Sequence, residues 1–338
     1  MKKIILYLVI AATAINFSGC KKDSTTTETP TLYGLWQVTT TSASFPDLKF
    51  IKFNTNKSLA AYSESVDGFR SIVANNCSPT VDQVIANINL YTPVVYNYTV
   101  VGDVLTLIGD NGLPAIIATK STATATDAWV ADVTSTDHID GLFTNNGEGI
   151  GYDGTNLLFC DYSNGEIMKV SLATRTNIGT FPATSSVHTV EFDGTNYWES
   201  SNGSSTIRKV DALGTTLTTS TAMGPWIYGI GYVSPTSIIC YSNNARTLYN
   251  YNPATDVVTS NKALTNINLG DVAVSNGKVY AAQNGANLIY RLNPTTFAVE
   301  KTYRITDAIS IYGIASVGGG IFWLNTNSGE KVLKVELN

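Results

Sequence analysis

Histidine is nearly absent from this sequence, which limits the metal chemistry open to it. The 338 residues include two histidines, His138 and His188, and neither lies in an HExxH or a His–Cys arrangement. The Asp–Gly pairs lack the D-x-[DN]-x-[DN]-G spacing of a calcium loop, and the chain has neither G-x-S-x-G nor a G-x-x-x-x-G-K-[ST] phosphate loop. The sequence therefore predicts no metal site and no cofactor.

Charge and cysteine are also sparse. Charged residues make up 14% of the chain and the net charge is −5, with no basic cluster, so no nucleic-acid partner is expected. Cys77, Cys160 and Cys240 have no CxxC spacing and are predicted to be small, buried, apolar side chains. A Cys160–Cys240 disulfide is the alternative for two of them.

A single apolar run is long enough to interact with a membrane, and it lies near the N-terminus. Residues 1–19 combine the basic start MKK with the run IILYLVIAATAINF, which is short for a membrane span and typical of a secretory signal. The letters FSGC, ending at Cys20, resemble the lipobox of bacterial lipoproteins. The resemblance implies a signal peptide over 1–19, lipid (palmitate included) on Cys20, and a polar, flexible tether over 20–31.

The expected localisation follows from that anchor. Lys21 and Lys22 come after Cys20, with no Asp directly behind it, and in lipoproteins this favours the outer membrane. Stable attachment needs more than one acyl chain, which a lipoprotein cysteine carries. We expect a lipid-anchored protein of the outer membrane, on its periplasmic face or the cell surface.

Residues 32–130 predict a small antiparallel β-domain. Alternating apolar runs are separated by turn residues such as Asn-Thr-Asn-Lys and Asp-Asn-Gly. Gly34-x-Trp36 resembles the Gly-x-Trp of lipocalin-like proteins and implies a lipocalin-like barrel. Residues 78–91 show helical spacing after a Ser/Thr start and predict one short helix. Residues 131–137 are predicted to be a linker.

The rest of the chain, 138–338, repeats itself. GYDGTN at 151–156 returns as EFDGTN at 191–196, and five units of three short strands can be aligned on such phrases. An apolar marker in the third strand recurs every 40 to 43 residues, at Ile167, Ile207, Leu248, Ile289 and Val332. This period with strand alternation indicates the blades of a β-propeller, since each sheet needs neighbours to cover both of its apolar faces.

The number of blades depends on how the ring closes. The last unit ends after its third strand, and residues 138–144, HIDGLFT, form a strand that belongs to no unit. We predict that this strand completes the last blade and removes an exposed edge. The fold expected is all-β, a lipocalin-like barrel followed by a five-bladed β-propeller closed by an N-terminal strand; a sixth blade from residues before 130 stays open.

Two stretches of the repeats resemble a known family. FDGTNYWESSNGSSTIRKVD at 192–211 and LIYRLNPTTFAVEKTYRIT at 288–306 are similar to motif lines of glutamine cyclotransferase-like and related NHL or SMP-30-type propellers. Asn146 to Ile150, NGEGI, resembles that family's Gly-Glu-Gly line. The family's Asn-Glu-Leu-Glu line would fall at 310–314, SIYGI, where both acids are absent. The resemblance therefore implies the fold more than the activity.

The candidate site is the mouth of the central channel, where the innermost strand of each blade begins. Aromatic faces with converging polar groups suit a sugar or another small polar ligand. The candidate residues are Glu148, His188, Trp226, Tyr228, Asp271 and Tyr312, and small residues beside them are expected to leave room.

The sequence favours a binding protein over an enzyme. The leading interpretation is non-catalytic binding of a glycan, a peptide or a partner protein of the envelope. The alternatives are an enzyme of the cyclotransferase or lactonase type, for which no catalytic residue can be assigned, and a structural scaffold of the envelope.

Overall fold

The structure is a computed structural model, and it describes residues 32–40, 45, 47–55, 57–79, 83–86, 94–109, 115–121, 130–142, 147–265, 267–326 and 331–338. The predicted signal peptide, Cys20 and the tether lie outside these residues. In this part of the chain all regular secondary structure is β-strand. No helix there reaches the length and apolarity needed to cross a bilayer.

The N-terminal part is one antiparallel sheet of nine strands. These are β1 (Gly34–Val38), β2 (Leu48–Phe53), β3 (Ser58–Glu64), β4 (Arg70–Asn76), β5 (Ser78–Pro79), β6 (Gln83–Ala86), β7 (Val94–Val101), β8 (Val104–Gly109) and β9 (Ile116–Lys120). Each strand pairs with the next along the chain except β4 and β5, which are separated only by Cys77, and β1 also pairs with β9. The order across the sheet is β4-β3-β2-β1-β9-β8-β7-β6-β5, so β4 and β5 are its two edge strands.

One face of this sheet is an apolar core. Trp36 is fully buried, and its indole N–H donates to the carbonyl oxygen of Leu32 at 2.7 Å, so the one polar atom of the ring is satisfied. Ile51, Tyr96 and Leu105 belong to the same buried cluster. In β8 alternate residues point inward, with Leu105 and Leu107 buried and Val104 and Ile108 exposed, as the period-two pattern of the sequence predicts.

The helix predicted over 78–91 is wrong where the structure describes it. β5 and β6 occupy Ser78–Pro79 and Gln83–Ala86, and β6 pairs with β7, with Val84 opposite Tyr96. The β-branched residues Val84 and Ile85 fit a strand between two partners as well as they fit a helix. Tertiary pairing decides such a short segment.

The C-terminal part is built of five sheets. The first three blades are β12 (Gly147–Tyr152), β13 (Asn156–Asp161), β14 (Glu166–Ser171) and β15 (Asn177–Pro182); β16 (Val187–Phe192), β17 (Tyr197–Ser201), β18 (Arg208–Val210) and β19 (Thr216–Thr219); and β20 (Ile227–Ser234), β21 (Ser237–Ser242), β22 (Thr247–Asn252) and β23 (Val257–Ala263). The fourth contains β24 (Leu269–Ser275), β25 (Lys278–Gln283), β26 (Leu288–Leu292) and β27 (Val299–Ile305), and the fifth β28 (Ile311–Gly318), β29 (Ile321–Thr326) and β30 (Lys331–Glu336).

These sheets form the ring that the repeats predicted. The innermost strands β12, β16, β20, β24 and β28 each contact the next, and β28 contacts β12. The five third-strand markers are all fully buried between blades. The prediction of a five-bladed propeller built from sequence repeats is confirmed. Cys160 and Cys240 are buried free thiols on different blades, so the disulfide alternative is wrong.

Two strands upstream of the first blade add to the last two. β10 (Ala131–Val133) lies parallel to β27 on the fourth blade. Asp132 forms a bidentate ion pair with Arg304, with N···O distances of 2.7 and 2.8 Å. β11 (Asp137–Asp140) pairs antiparallel with β30, with Ile139 opposite Val332. Residues 131–137, predicted as a linker, thus contribute a strand to a blade.

The N-terminal sheet packs against the propeller around the β3–β4 hairpin, and Leu35 of β1 and Phe50 of β2 join the same cluster. Phe69, in the turn between β3 and β4, is 1% exposed and meets the ring of Tyr290 edge-on, with centroids 4.7 Å apart at 81°. Leu264 and Ile267 lie in the same cluster. Beside it, the carboxylate of Asp67 accepts the backbone N–H of Thr265 at 2.6 Å.

Candidate binding site at the mouth of the propeller

Every innermost strand carries a β-bulge at its first step. In β16 the partners jump from Val187 to Thr189, and in β20, β24 and β28 the skipped residues are Tyr228, Gly270 and Tyr312. In β12 the irregularity lies between Gly147 and Ile150. Of the mouth residues predicted from the sequence, Glu148, His188, Tyr228 and Tyr312 therefore lie at bulges, whereas Trp226 and Asp271 do not. Bulges redirect side chains, and in the described part of the structure those of His188, Tyr228 and Tyr312 are redirected at one end of the channel.

Three of the candidate residues stack on one another. The rings of His188 and Tyr228 are 3.7 Å apart at 15°, and the indole of Trp226 lies nearly parallel to Tyr228, 6.2 Å away at 9°. Exposure rises along the stack, from the buried imidazole to the indole, which is 42% exposed. The result is an aromatic platform with its outermost ring facing solvent.

The backbone at Trp226 is held in an unusual conformation. Its φ is +62°, a region that bulky side chains rarely adopt. The carbonyl oxygen of Trp226 accepts the N–H of Asn243 at 2.9 Å, and the next residue, Ile227, donates its N–H to the carbonyl oxygen of Ser204 at 3.0 Å. Such strain persists only where the surroundings fix it, and it is typical of binding sites.

A chain of polar groups borders the platform. The phenol of Tyr228 donates to Asn202 Oδ1 at 3.4 Å, and Asn202 Nδ2 donates to the phenol oxygen of Tyr162 at 3.0 Å. These residues belong to the third, second and first blades. These aromatic and hydrogen-bonding groups thus lie on the first three blades, while Tyr312 belongs to the fifth. The side chain of Glu148 is outside the described part of the structure.

Asp271 lies below the mouth, on the channel axis, and not at the rim. It is 1% exposed, and its carboxylate accepts the N–H groups of Val272 and Ile314 at 2.9 and 3.2 Å and the hydroxyl of Thr189 at 3.3 Å. The backbone of Ile150 adds a further hydrogen bond. One carboxylate therefore ties four blades together, and burial raises the pKa of Asp271 well above its usual range.

A second acid shares the channel. Glu191 follows Thr189 by two residues on β16 and so lies on the same face of the strand. Its Oε1 accepts the N–H of Tyr232 at 3.4 Å. Burial, with the nearby charge of Asp271, raises the pKa of Glu191 to about 8. The imidazole of His188 shifts the other way, because burial lowers its pKa to about 4 and leaves it neutral at neutral pH.

The small residues next to the mouth residues were expected to leave room for a ligand, and they do not. A Cβ on Gly229 would come within 2.8 Å of the backbone nitrogen of Val272 on the next blade. On Gly270 it would lie 2.8 Å from the carbonyl oxygen of Tyr312. Adjacent innermost strands approach so closely that the backbone of one fills the space beside the glycine of the other.

Sequence reasoning assigned no role to Glu199, a buried carboxyl on β17 opposite Val190 of the second blade's innermost strand. It is 0% exposed; Arg208 and the N–H of Thr184 (3.2 Å) both donate to Oε1. Among the described residues, Glu199 Oε2 and Thr184 Oγ1 are buried without a hydrogen-bond partner. Burial raises the pKa of Glu199 above its usual range. The available signal was an acid directly after two aromatic residues in the strand YWESS.

Within the described ranges, no group of three or more His, Cys, Asp or Glu side chains is placed to hold a metal ion. The described side chains offer stacking on the platform, hydrogen bonding at its border and the carboxyl groups of Glu191 and Asp271 below it, with Glu199 on the neighbouring strand β17.

Sheets, channel and bulges together define a five-bladed β-propeller with repeated blades. Its fold is similar to that of the crystal structure of Myxococcus xanthus glutaminyl cyclase, with a TM-score of 0.52 and 12% identity over 62% of this chain and 98% of that one. The WD40 propeller domain of Doa1 and the mitotic checkpoint complex also match, at TM-scores of 0.43 and 0.40, with 11% identity each; they cover 90% and 98% of this chain and 94% and 99% of theirs. No protein-family model matches the sequence, and neither does any curated protein. At 12% identity, the similarity to the glutaminyl cyclase shows the fold alone.

Proposed function

We propose that this protein is a lipid-anchored cell-envelope protein whose propeller mouth binds a small polar ligand, most simply a sugar unit of a glycan, without transforming it. The observation that carries the proposal is the stack that ends in the exposed indole of Trp226. Sugar rings pack one apolar face on an aromatic ring and present hydroxyls at their edge. Tyr228, Asn202 and Tyr162 supply hydrogen-bonding groups beside that ring.

The remaining architecture belongs to the same proposal. The antiparallel meander of β1 to β9, in which the first strand also pairs with the last, supports a lipocalin-like barrel. The pairing of β11 with β30 supports closure of the ring by an upstream strand. The lipobox-like segment supports a signal peptide and lipid on Cys20, which would hold the domains at the outer membrane. Palmitate labelling should be lost in Cys20→Ala and kept in Cys77→Ala; labelling that persists in Cys20→Ala contradicts the anchor.

Glycan-array screening followed by titration tests the binding role. Trp226→Ala should weaken any hit at least tenfold, which is about 1.4 kcal/mol, because it removes the exposed ring of the platform. Leu213→Ala is the matched control, since Leu213 is 78% exposed on another turn. A hit that Trp226→Ala leaves unchanged contradicts the mouth as the site, and the absence of any hit contradicts a glycan.

A second candidate, an enzyme of the cyclotransferase or lactonase type, is favoured by Glu199. A buried carboxyl with a raised pKa and an unpartnered oxygen is a form that general acids take. The fold similarity to a glutaminyl cyclase names one reaction to assay, the cyclisation of N-terminal glutamine. Turnover that disappears in Glu199→Gln would favour this alternative; no turnover in the unmodified protein would leave the binding role.

A further inference from the structure

A cavity lies between the second and third blades, on the face opposite the mouth. Its volume is about 450 Å³, within the ~300–1,000 Å³ of ordinary ligand sites. It is formed where β16 ends, at the turn that follows Phe192, whereas the mouth is formed where β16 begins. Along a strand that difference is roughly 17–20 Å. The cavity is therefore separate from the aromatic platform.

The repeat supplies an internal comparison for this cavity. At the same position between the first and second blades, the ammonium of Lys169 bonds the phenol oxygen of Tyr197 at 2.9 Å and lies over the rings of Tyr197 and Phe181. Tyr197 is the strand partner of Phe192. Both rings over Lys169 are buried, so this position is filled by the protein's own side chains.

One blade further on, the filling side chain is missing. Lys209 takes the place of Lys169, but the residue that corresponds to Tyr197 is Ile238, the strand partner of Tyr232. Lys209 pairs with Asp193 at 2.7 Å, as Lys169 pairs with Asp153 at 3.6 Å, and its ammonium lies 5.6 Å from the ring centroid of Trp198 on its own blade. The third blade thus has isoleucine where the second has the ring of Tyr197, and the cavity lies at this position.

The lining selects the kind of ligand. Asp193 is already occupied by Lys209, by the indole N–H of Trp198 at 3.2 Å and by two backbone N–H groups, so the cavity holds no unbalanced charge. Lys209 keeps N–H donors beyond that pair, and the phenol of Tyr232 stays protonated because burial and Asp193 raise its pKa. Pro235 and Pro253 form an apolar wall.

We propose that this cavity, called here the second groove, binds a neutral sugar unit, with its hydroxyls toward Lys209 and Tyr232 and its apolar face on the prolines. A neutral ligand rich in acceptor oxygens fits a lining that is rich in donors and balanced in charge. The second groove does not depend on the ligand of the mouth. If both sites are occupied, the propeller bridges two sugar units on opposite faces.

The test uses the purified full chain with Trp226→Ala, so that any remaining sugar binding comes from outside the mouth. Glucose, galactose, mannose and N-acetylglucosamine are titrated, followed by saturation-transfer NMR and tryptophan fluorescence. At least one sugar should bind. Ile238→Tyr, which restores the side chain found one blade earlier, should weaken binding at least tenfold, and so should Lys209→Met. Lys169→Met, the same change in the filled position, should leave binding within twofold.

Each variant is first checked by thermal melting, and if Ile238→Tyr does not fold, the pair Lys209→Met and Lys169→Met decides. Absence of binding by all four sugars overturns the proposal. Equal weakening of sugar binding by Lys209→Met and Lys169→Met also overturns the proposal. Binding of a proline-containing peptide in place of a sugar overturns it as well.

Discussion

The two carboxyl groups of the channel are the residues with the clearest measurable consequence. The residues at the channel position of Glu191 in the other blades are Gly151, Gly231, Ala273 and Ala315. Alignment of the repeats shows an acid where the other blades have glycine or alanine. Considered within its own strand, Glu191 looks like an ordinary solvent-facing residue. Its meaning depends on which face of the strand the closed ring buries, and that follows only from the assembled blades.

The first prediction concerns the pH dependence of stability. The pKa of Glu191 rises from 4.5 to about 8 on folding, so the folded state holds a proton that the unfolded chain has lost. Its contribution is fully present below pH 4.5 and is lost as the pH rises through 8. His188, whose pKa falls from 6.5 to about 4, contributes stability that grows from pH 4 to 6.5 and is constant above. Of these groups, only the channel acids change the free energy of unfolding with pH between pH 6.5 and 8.

Thermal melting should therefore show stability falling between pH 6.5 and 8, by about 1–2 kcal/mol for the proton of Glu191. Glu191→Gln should make that slope shallower, since glutamine does not titrate and only the contribution of Asp271, whose pKa is also raised, is left. His188→Gln serves as the comparison, because it should change the pH 4–6.5 range and leave the higher range sloping. A melting temperature that rises between pH 6.5 and 8 in the unmodified protein would contradict the raised pKa.

The mouth residues show how far sequence reaches at this scale. Aligning the units placed His188 and Tyr228 in one column, and they stack in the structure. Asp271 was read as a rim residue and lies buried on the axis. The bulge explains the difference: it inserts one residue into each strand, so the residue after it returns to the face that the ring encloses. A bulge leaves no mark in an alternating pattern this short.

Among the elements, the blades were predictable and the short strands that join them to the N-terminal part were less so. Blades repeat, and five copies of one pattern reinforce each other where a single copy is ambiguous. β10 has three residues in a Thr- and Asp-rich segment and gives no pattern at all. β6 was mistaken for part of a helix because Val84 and Ile85 suit either period until a partner strand is known.

The second prediction tests the strand that joins the last blade. Ile139 of β11 is 5% exposed and packs with Trp323 and Val332 in one cluster. If β11 closes the ring, Ile139→Ala should cost roughly 2–4 kcal/mol of unfolding free energy, because it leaves a cavity between the first and last blades. His138→Ala, on the solvent side of the same strand, should cost within ~0.5 kcal/mol. Denaturant unfolding measures both, and equal small effects would deny β11 a closing role.

At the scale of the whole molecule, the two parts are joined more tightly than a linker implies. The sequence divides cleanly where repeats begin, and nothing in the hairpin VDGF at 66–69 distinguishes it from any exposed turn. Its partner surface is made of Leu264, Ile267 and Tyr290, some two hundred residues away in the chain. Contacts between separately patterned domains have no local signature, so they escape a reading along the chain.

The third prediction follows from that hairpin. Phe69 is buried against Tyr290 and closes the contact between the N-terminal sheet and the propeller. Phe69→Ala should remove about 3–4 kcal/mol from this contact, as loss of a buried aromatic ring does. Val66→Ala is the control from the same turn, since Val66 is 82% exposed and should change little. Differential scanning calorimetry should give one transition for the unmodified protein and for Val66→Ala, and two for Phe69→Ala. Separate transitions already present in the unmodified protein would mean that the contact does not couple the two parts, and an unchanged single transition in Phe69→Ala would mean that other contacts hold them together.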